Sequence, residues 1–207
     1  MKEILTYKNV NEALESLDNG GRFYNFQTKA NDGIINQAEL GIVGGIFCSQ
    51  QQMILFLEMS MLKLNQSEKN TIVSKLDCDL TDTYYKFKSQ ELLPSEADSK
   101  GILASNAIIT GIPKLIDSKS DFGGFIMFPM IVGNVTSFMM IPIIDQYDVY
   151  ELRDEATSET FIIAHLKSDE KLPNKKVILG GVLKELNANE EEDVAKGKFL
   201  EAVYFVG

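Results

Sequence analysis

The residue types in this chain permit few of the common catalytic centres. There is one histidine, His165, with two cysteines and no tryptophan. A serine–histidine–acid triad could use only His165 as its base, and no nucleophile motif lies near it. A histidine-rich metal site or a zinc ribbon cannot be built from this inventory. Nucleophile-elbow, phosphate-loop, dinucleotide and zinc-protease motifs are all absent from the sequence, so we expect a protein that is not an enzyme and has no cofactor.

The carboxylates of residues 28–40 form the most specific candidate for a ligand site. This segment resembles an EF-hand loop, with Gly33 at the sixth position, Ile35 at the eighth and Glu39 at the twelfth. Calcium sites of this type take carboxylates at positions one, three and five, and here only Asp32 supplies one. The resemblance therefore implies at best a weak calcium or metal site, whose ligands would be Asp32, Asn36 and Glu39.

The segment 28–40 also resembles a motif of the helical TerB-like domains that are associated with tellurite resistance. The motif of that family is matched by Ala30, Asp32, Gly33, Ile35 and Glu39. A second copy of the motif, which such domains often carry, is absent. A structural interpretation explains the letters as well: Asp32-Gly33 makes a tight turn, and Asn36 with Glu39 forms a capping box at the start of a helix.

Charge and hydropathy limit the partners. Lys+Arg is 20 and Asp+Glu is 30, so the net charge is −10 and bulk nucleic-acid binding is disfavoured. Residues 122–144 contain no charge and are long enough to span a bilayer. Prolines, glycines and β-forming residues interrupt them, which favours two buried strands over a segment in or on a membrane. We expect no membrane span.

The cysteines and the first residues indicate a reducing compartment. We expect Cys48 and Cys78 to be free buried thiols, as is usual in the cytosol. Residues 1–8 carry charge early and have no apolar core, so they do not form a secretory signal. A cytoplasmic location is predicted.

Two domains are predicted, at 1–95 and 96–207. The first resembles a helical bundle. Helices are expected after Asn9, over Ile46–Leu64 as the central buried helix, after Ser67 and after Thr81, with a short apolar stripe at Phe23, Phe26 and Ala30. Residues 93–101, rich in Pro, Ser, Gly and charge, are expected to be a linker with little to bury.

After residue 101, apolar residues occur in short runs rich in β-forming residues, which is typical of strands. Strands are predicted at 107–109, 125–132, 135–144, 147–153, 160–166, 176–186 and 199–206, with polar connectors at 154–159 and 187–198. The fold class is therefore α+β, an N-terminal helical bundle followed by a small all-β barrel.

The second domain resembles an OB-fold. Several segments carry the resemblance. Ile131–Thr136 matches the first strand, and 150–155 with 160–163 matches the second hairpin. Residues 176–183 match the fourth strand and 197–203 the fifth. OB-folds bind bases or sugars on strands two and three. The resemblance implies a ligand or nucleic-acid site there, and strand alternation places Phe161, Ile163 and His165 on one face. The site residues expected are Tyr150, Arg153, Phe161, His165 and Lys167, although core packing is the commoner use of aromatic residues on strands.

The function predicted is binding of a protein partner or self-assembly, with the apolar 122–140 segment and the acidic β domain as candidate surfaces. One alternative is single-stranded nucleic-acid or small-ligand binding on the barrel. Another is a weak calcium- or metal-responsive TerB-like domain.

Overall fold

A computed structural model of the protein describes residues 1–19, 31–116, 124–132, 135–167, 171–188 and 195–207. The chain divides into two compact units, residues 3–89 and residues 90–205, the latter with Met1 and Lys2. Helices lie mostly in the first unit and strands in the second, so the α+β class and its order along the chain are confirmed.

The first unit is helical, and polar caps begin its helices. Asn9, Asn36, Ser49, Asn65 and Asp77 each accept a backbone N–H with the side chain at a helix start. The helices are α1 (Val10–Leu17), α2 (Gln37–Gly44), α3 (Gln50–Ser60), α4 (Gln66–Val73) and α5 (Cys78–Phe87). As predicted, α3 is the buried central helix: six of its apolar side chains lie in the core. A short strand, β1 (Lys2–Glu3), precedes them.

Some local predictions for this unit were wrong. The central helix begins at Gln50, because Ser49 caps it, and not at Ile46. Cys48 lies before that cap and Cys78 is the first residue of α5, and both thiols are exposed and free, not buried. The stripe of Phe23, Phe26 and Ala30 lies outside the described residues.

The second unit contains the remaining strands and two short helices. The strands are β2 (Gln90–Leu92), β3 (Asn106–Ile116), β4 (Gly124–Val132), β5 (Val135–Pro142), β6 (Tyr147–Arg153), β7 (Thr160–Leu166), β8 (Val177–Ala188) and β9 (Ala195–Val206). The helices are α6 (Pro94–Lys100) and α7 (Ile143–Gln146). Most strand predictions after residue 124 were close, whereas β3 runs seven residues beyond the expected 109.

Five of these strands close into a barrel. β3 pairs antiparallel with β6 and with β8, β6 pairs antiparallel with β7, and β7 pairs parallel with β9. β9 also pairs with β8, which completes the ring. Numbered by their order in the chain, the five barrel strands follow one another around the ring as 1-2-3-5-4, and this is an OB-like barrel. Its interior holds apolar side chains from all five strands.

The first barrel strand was predicted wrongly. It is β3, whereas Ile131–Thr136 spans the end of β4 and the start of β5. Val132 pairs with Val135, so the chain reverses there and cannot continue as one strand. The β4–β5 hairpin is thus inserted between the first and second strands of the barrel.

The expected linker at 93–101 is also different. It forms α6, which starts with Pro94 at its first turn, a position proline favours. Pro94 and Ala97 are buried, and Ala97 belongs to the barrel core. Residues 90–95 were predicted to belong to the helical domain. In the structure they form β2 and the start of α6, which belong to the second unit.

Candidate functional site

The first candidate is a cluster of polar groups at one end of the barrel. Asp148 on β6 and His165 on β7 are directly paired in the strand register, and both are buried. The His165 Nε2 atom lies 3.9 Å from Asp148 Oδ2 and has no hydrogen-bond partner. Lys171 Nζ donates to Asp148 Oδ1 over 2.6 Å, and the Tyr150 ring stacks on the imidazole at 5.7 Å.

Burial favours the neutral form of His165. Its Nδ1 atom lies 2.8 Å from the Leu166 carbonyl oxygen, which accepts a hydrogen bond from Nδ1–H and leaves Nε2 with its lone pair. Burial lowers the pKa of His165 below its usual value, because a charged imidazolium loses its hydration there. The imidazole can therefore bind a second proton only at acidic pH.

The five residues predicted for the barrel site are not gathered on one surface. Tyr150, Phe161 and His165 are buried, each at most 4% exposed. Strand alternation does place Phe161, Ile163 and His165 on one face, as predicted, but that face is the inside. Arg153 and Lys167 are exposed and lie at opposite ends of the β6–β7 hairpin, since Arg153 pairs with Thr160 while Lys167 follows the Tyr147–Leu166 pair.

The second candidate, the loop before α2, is organised around a carboxylate that the sequence did not indicate. Asp18 is buried, and its two oxygens accept from the backbone N–H groups of Asp32 and Gly33 at 3.2 and 2.8 Å. Asn31 and Gly33 both have positive φ, and a tight turn of this kind requires such angles. Asp18 therefore holds the turn from inside the unit.

The three predicted metal ligands of this loop make backbone contacts. Asp32 accepts from the Ile34 N–H, Asn36 accepts from the N–H groups of Ala38 and Glu39, and Glu39 accepts from the Asn36 N–H. The predicted capping box is thus present. Among the described residues, no three histidine, cysteine or acidic side chains come together as a metal site would require.

The third candidate is the β4–β5 hairpin. Its two strands pair over eight residue pairs, from Phe125 with Pro142 to Val132 with Val135. β4 also pairs with β8, but only at Gly124 and Phe125, and α7 contacts both strands. From Ile126 onward, the described pairing of β4 is with β5 alone. None of the helices in the described ranges has the length and hydropathy needed to cross a bilayer.

Comparisons with known proteins add little to these observations. No family model matches the chain, and no curated protein matches it. The solved structures include the N-terminal domain of an archaeal MCM, with a TM-score of 0.35 and 11% identity over 83% of this chain and 84% of that one. A likeness at that level transfers neither fold nor function to this chain.

Sequence reasoning missed Asp18, Asp148 and Lys171. Asp148 carried a usable signal, because a carboxylate between two apolar residues in a predicted strand must find a partner when it is buried. Asp18 carried a weaker one: an acidic residue at the end of a helix opposes the helix dipole, so another contact has to compensate. Nothing in the sequence links Lys171 to Asp148.

Proposed function

We propose that this protein is a non-enzymatic interaction protein whose interface is the β4–β5 hairpin. The observation that carries the proposal is the composition of that hairpin together with its pairing. Both strands lack charged residues, and in the described part of the chain they pair only with each other beyond Phe125. A two-stranded hairpin is marginally stable in water unless further strands or a packed face complete it.

The register strengthens this argument. Residues 126, 128, 130 and 132 share one face of the ribbon with 135, 137, 139 and 141, and the other residues share the opposite face. Each face therefore carries Ile, Phe, Met or Val residues at most positions. A sheet that is exposed to water on one side normally alternates apolar and polar residues, and this ribbon does not. A two-stranded ribbon that is apolar on both faces favours an interaction site, because it needs a further surface to pack against.

Nucleic-acid binding is the weaker alternative. The three aromatic rings that would stack on bases are buried, and the two predicted cationic contacts are far apart along β6 and β7. The chain also carries a net charge of −10, which repels phosphate. The TerB-like resemblance of the helical unit stays a prediction.

Site-specific photo-crosslinking tests the proposed interface. A photoreactive amino acid replaces Phe128 or Phe138 on the hairpin and, as the control, the exposed Lys114 on barrel strand β3. In cells that produce the chain, we expect a discrete protein adduct from both hairpin positions and none from position 114. Adducts to lipid or nucleic acid, or no adduct from the hairpin, would contradict the proposal.

A further inference from the structure

We propose that the occupant of the hairpin is a second copy of this chain, joined through antiparallel pairing of β5 with β5 of the other copy. This inference rests on the proposed function and names its partner. A pairing of this kind is isologous, as in most two-fold homodimers: the same residues meet from both sides. It converts two two-stranded ribbons into one four-stranded sheet.

The first support is the position of β5 in the sheet. The order of strands runs β1-β9-β7-β6-β3-β8-β4-β5, so β5 is a terminal strand. Its pairing in the described residues is with β4 along the whole length of the strand. No other strand of the described residues pairs with the outer edge of β5, so its backbone N–H and C=O groups form an extended row that another strand can pair with.

The second support is that the sequence of β5 lacks the features that normally prevent an edge strand from pairing with another chain. Natural edge strands carry lysine, proline, a bulge or an inward charge to prevent association. Residues 135–141 read Val-Thr-Ser-Phe-Met-Met-Ile, with no charge and no proline. The eight-pair register with β4 is continuous and has no bulge. Pro142 closes the strand at the end nearest the barrel.

The third support is electrostatic. Two copies that each carry a charge of −10 repel one another over most of their surfaces. The 23 residues 122–144 carry no charge, so two copies can pair antiparallel along this stretch in any register without bringing like charges together. A heterologous partner needs no such self-compatibility, so a charge-free edge fits a second copy better. A lipid occupant fits poorly, because an open strand edge leaves backbone groups unpaired in hydrocarbon.

Sedimentation velocity of the purified full chain over a concentration series is the main experiment. The edge variant is Ser137→Lys, in β5. The matched control is Met130→Lys, because Met130 is the register partner of Ser137 and puts the same charge on the same face of the ribbon, one strand further from the edge. We expect the wild-type chain to dimerise, Ser137→Lys to weaken the dimer at least about tenfold, and Met130→Lys to weaken it much less.

Disulfide trapping with single cysteines tests directly which residues of the two β5 strands lie close together. In a chain with Cys48→Ser and Cys78→Ser, single cysteines are placed at each position from Val135 to Ile141 in turn. When an antiparallel strand pairs with its own copy, a residue lies opposite itself only at the two-fold axis, so cross-linked dimers should form strongly at one or two neighbouring positions and weakly on either side of them. The two parent thiols are exposed, so their removal should leave the fold intact.

The outcomes separate the two proposals. A wild-type chain that stays monomeric at every concentration overturns pairing with a second copy, while hairpin adducts to another protein would still support the proposed function. A dimer weakened equally by both lysines overturns edge pairing in favour of contact through the face. Should Ser137→Lys fail to fold, the cysteine series alone decides, and equal trapping along the whole series or none at any position contradicts the proposal.

Discussion

The surroundings of His165 in the barrel lower its pKa. Burial lowers its pKa, and the groups around it act in both directions: the Leu166 carbonyl and Asp148 raise the pKa, while Lys171 and the N-terminal amine lower it. In the unfolded chain a histidine titrates near pH 6.5. The unfolded state therefore binds more protons below that pH, and stability falls as the pH drops from about 6.5 through the lowered pKa of the folded state.

We expect His165→Asn to remove this dependence. An asparagine amide can still donate to the Leu166 carbonyl but does not titrate in this range. Thermal melts of both chains between pH 5 and 8 should therefore diverge as the pH falls, with the wild type losing more stability relative to its own value at pH 8. Proton NMR of the imidazole gives the pKa itself, and a midpoint at or above 6.5 would contradict the prediction.

Asp18 is the residue on which the loop before α2 depends. Its carboxylate satisfies two backbone N–H groups while buried, and an amide can accept from only one of them with its oxygen. We expect Asp18→Asn to reduce the free energy of unfolding by about 1–3 kcal/mol, measured by urea denaturation. Glu15→Gln, an exposed carboxylate on the same helix, is the control, and an equal loss from both variants would show that charge alone matters.

Calcium response is a separate property of the same loop. Asp32, Asn36 and Glu39 already accept backbone hydrogen bonds, so a cation would have to share their oxygens. We expect no change in melting temperature on addition of millimolar calcium. A rise that Glu39→Gln abolishes would instead establish the EF-hand-like site that the sequence resembles.

Residue types alone predicted the helix caps Asn9 and Asn36. The helix starts expected after Ser67 and Thr81 were wrong, because Asn65 and Asp77 cap those helices, and the barrel site was predicted poorly. Asn36 with Glu39 is recognisable because a capping box depends on residues three apart in sequence. Whether Phe161 and His165 point inward or outward depends on how β6 and β7 curve around the barrel, and alternation fixes only that they share a face. The Asp18 contact spans 14 and 15 residues, and no local pattern encodes such a separation.

At the scale of elements, the hairpin is separable from the barrel. The five barrel strands close their ring without β4 or β5. We expect a chain in which Asn-Gly replaces residues 126–141 to keep the barrel fold, because Phe125 and Pro142 are paired and a two-residue turn can join them. Circular dichroism and thermal unfolding check this, with loss of the cooperative transition as the contrary result.

The hairpin also explains why the first barrel strand was misassigned. The sequence predicts separate strands at 125–132 and 135–144, but the OB-fold resemblance was assigned to 131–136, which spans the gap between them. Hydrophobic period alone does not show which strand belongs to the barrel. The true first strand, β3, contains Pro113, which argues against a strand interior in sequence. Pairing across the barrel overrides that local preference. Tertiary contacts also override local preference in α6. Its segment looks like a linker in sequence, but the helix packs because Ala97 lies in the barrel core.

At the scale of the whole molecule, the net charge of −10 gives opposite salt dependences for the two binding functions. A dimer formed through an uncharged edge is opposed by repulsion between the rest of the two chains, and salt screens that repulsion over about 10 Å at 0.1 M. Binding of single-stranded nucleic acid would instead weaken as salt rises, because the release of counterions into a more concentrated salt solution gains less free energy.

We therefore expect the dimer dissociation constant to fall between 20 and 500 mM sodium chloride, by roughly two- to tenfold given the screening of charges at the surface. Sedimentation equilibrium measures this constant at each salt concentration. Fluorescence anisotropy of a labelled single-stranded oligonucleotide, recorded in the same buffers, should show no binding at any of them. A dimer that weakens with salt would mean that ion pairs join the two copies, and the uncharged β5 edge could not then be the contact between them.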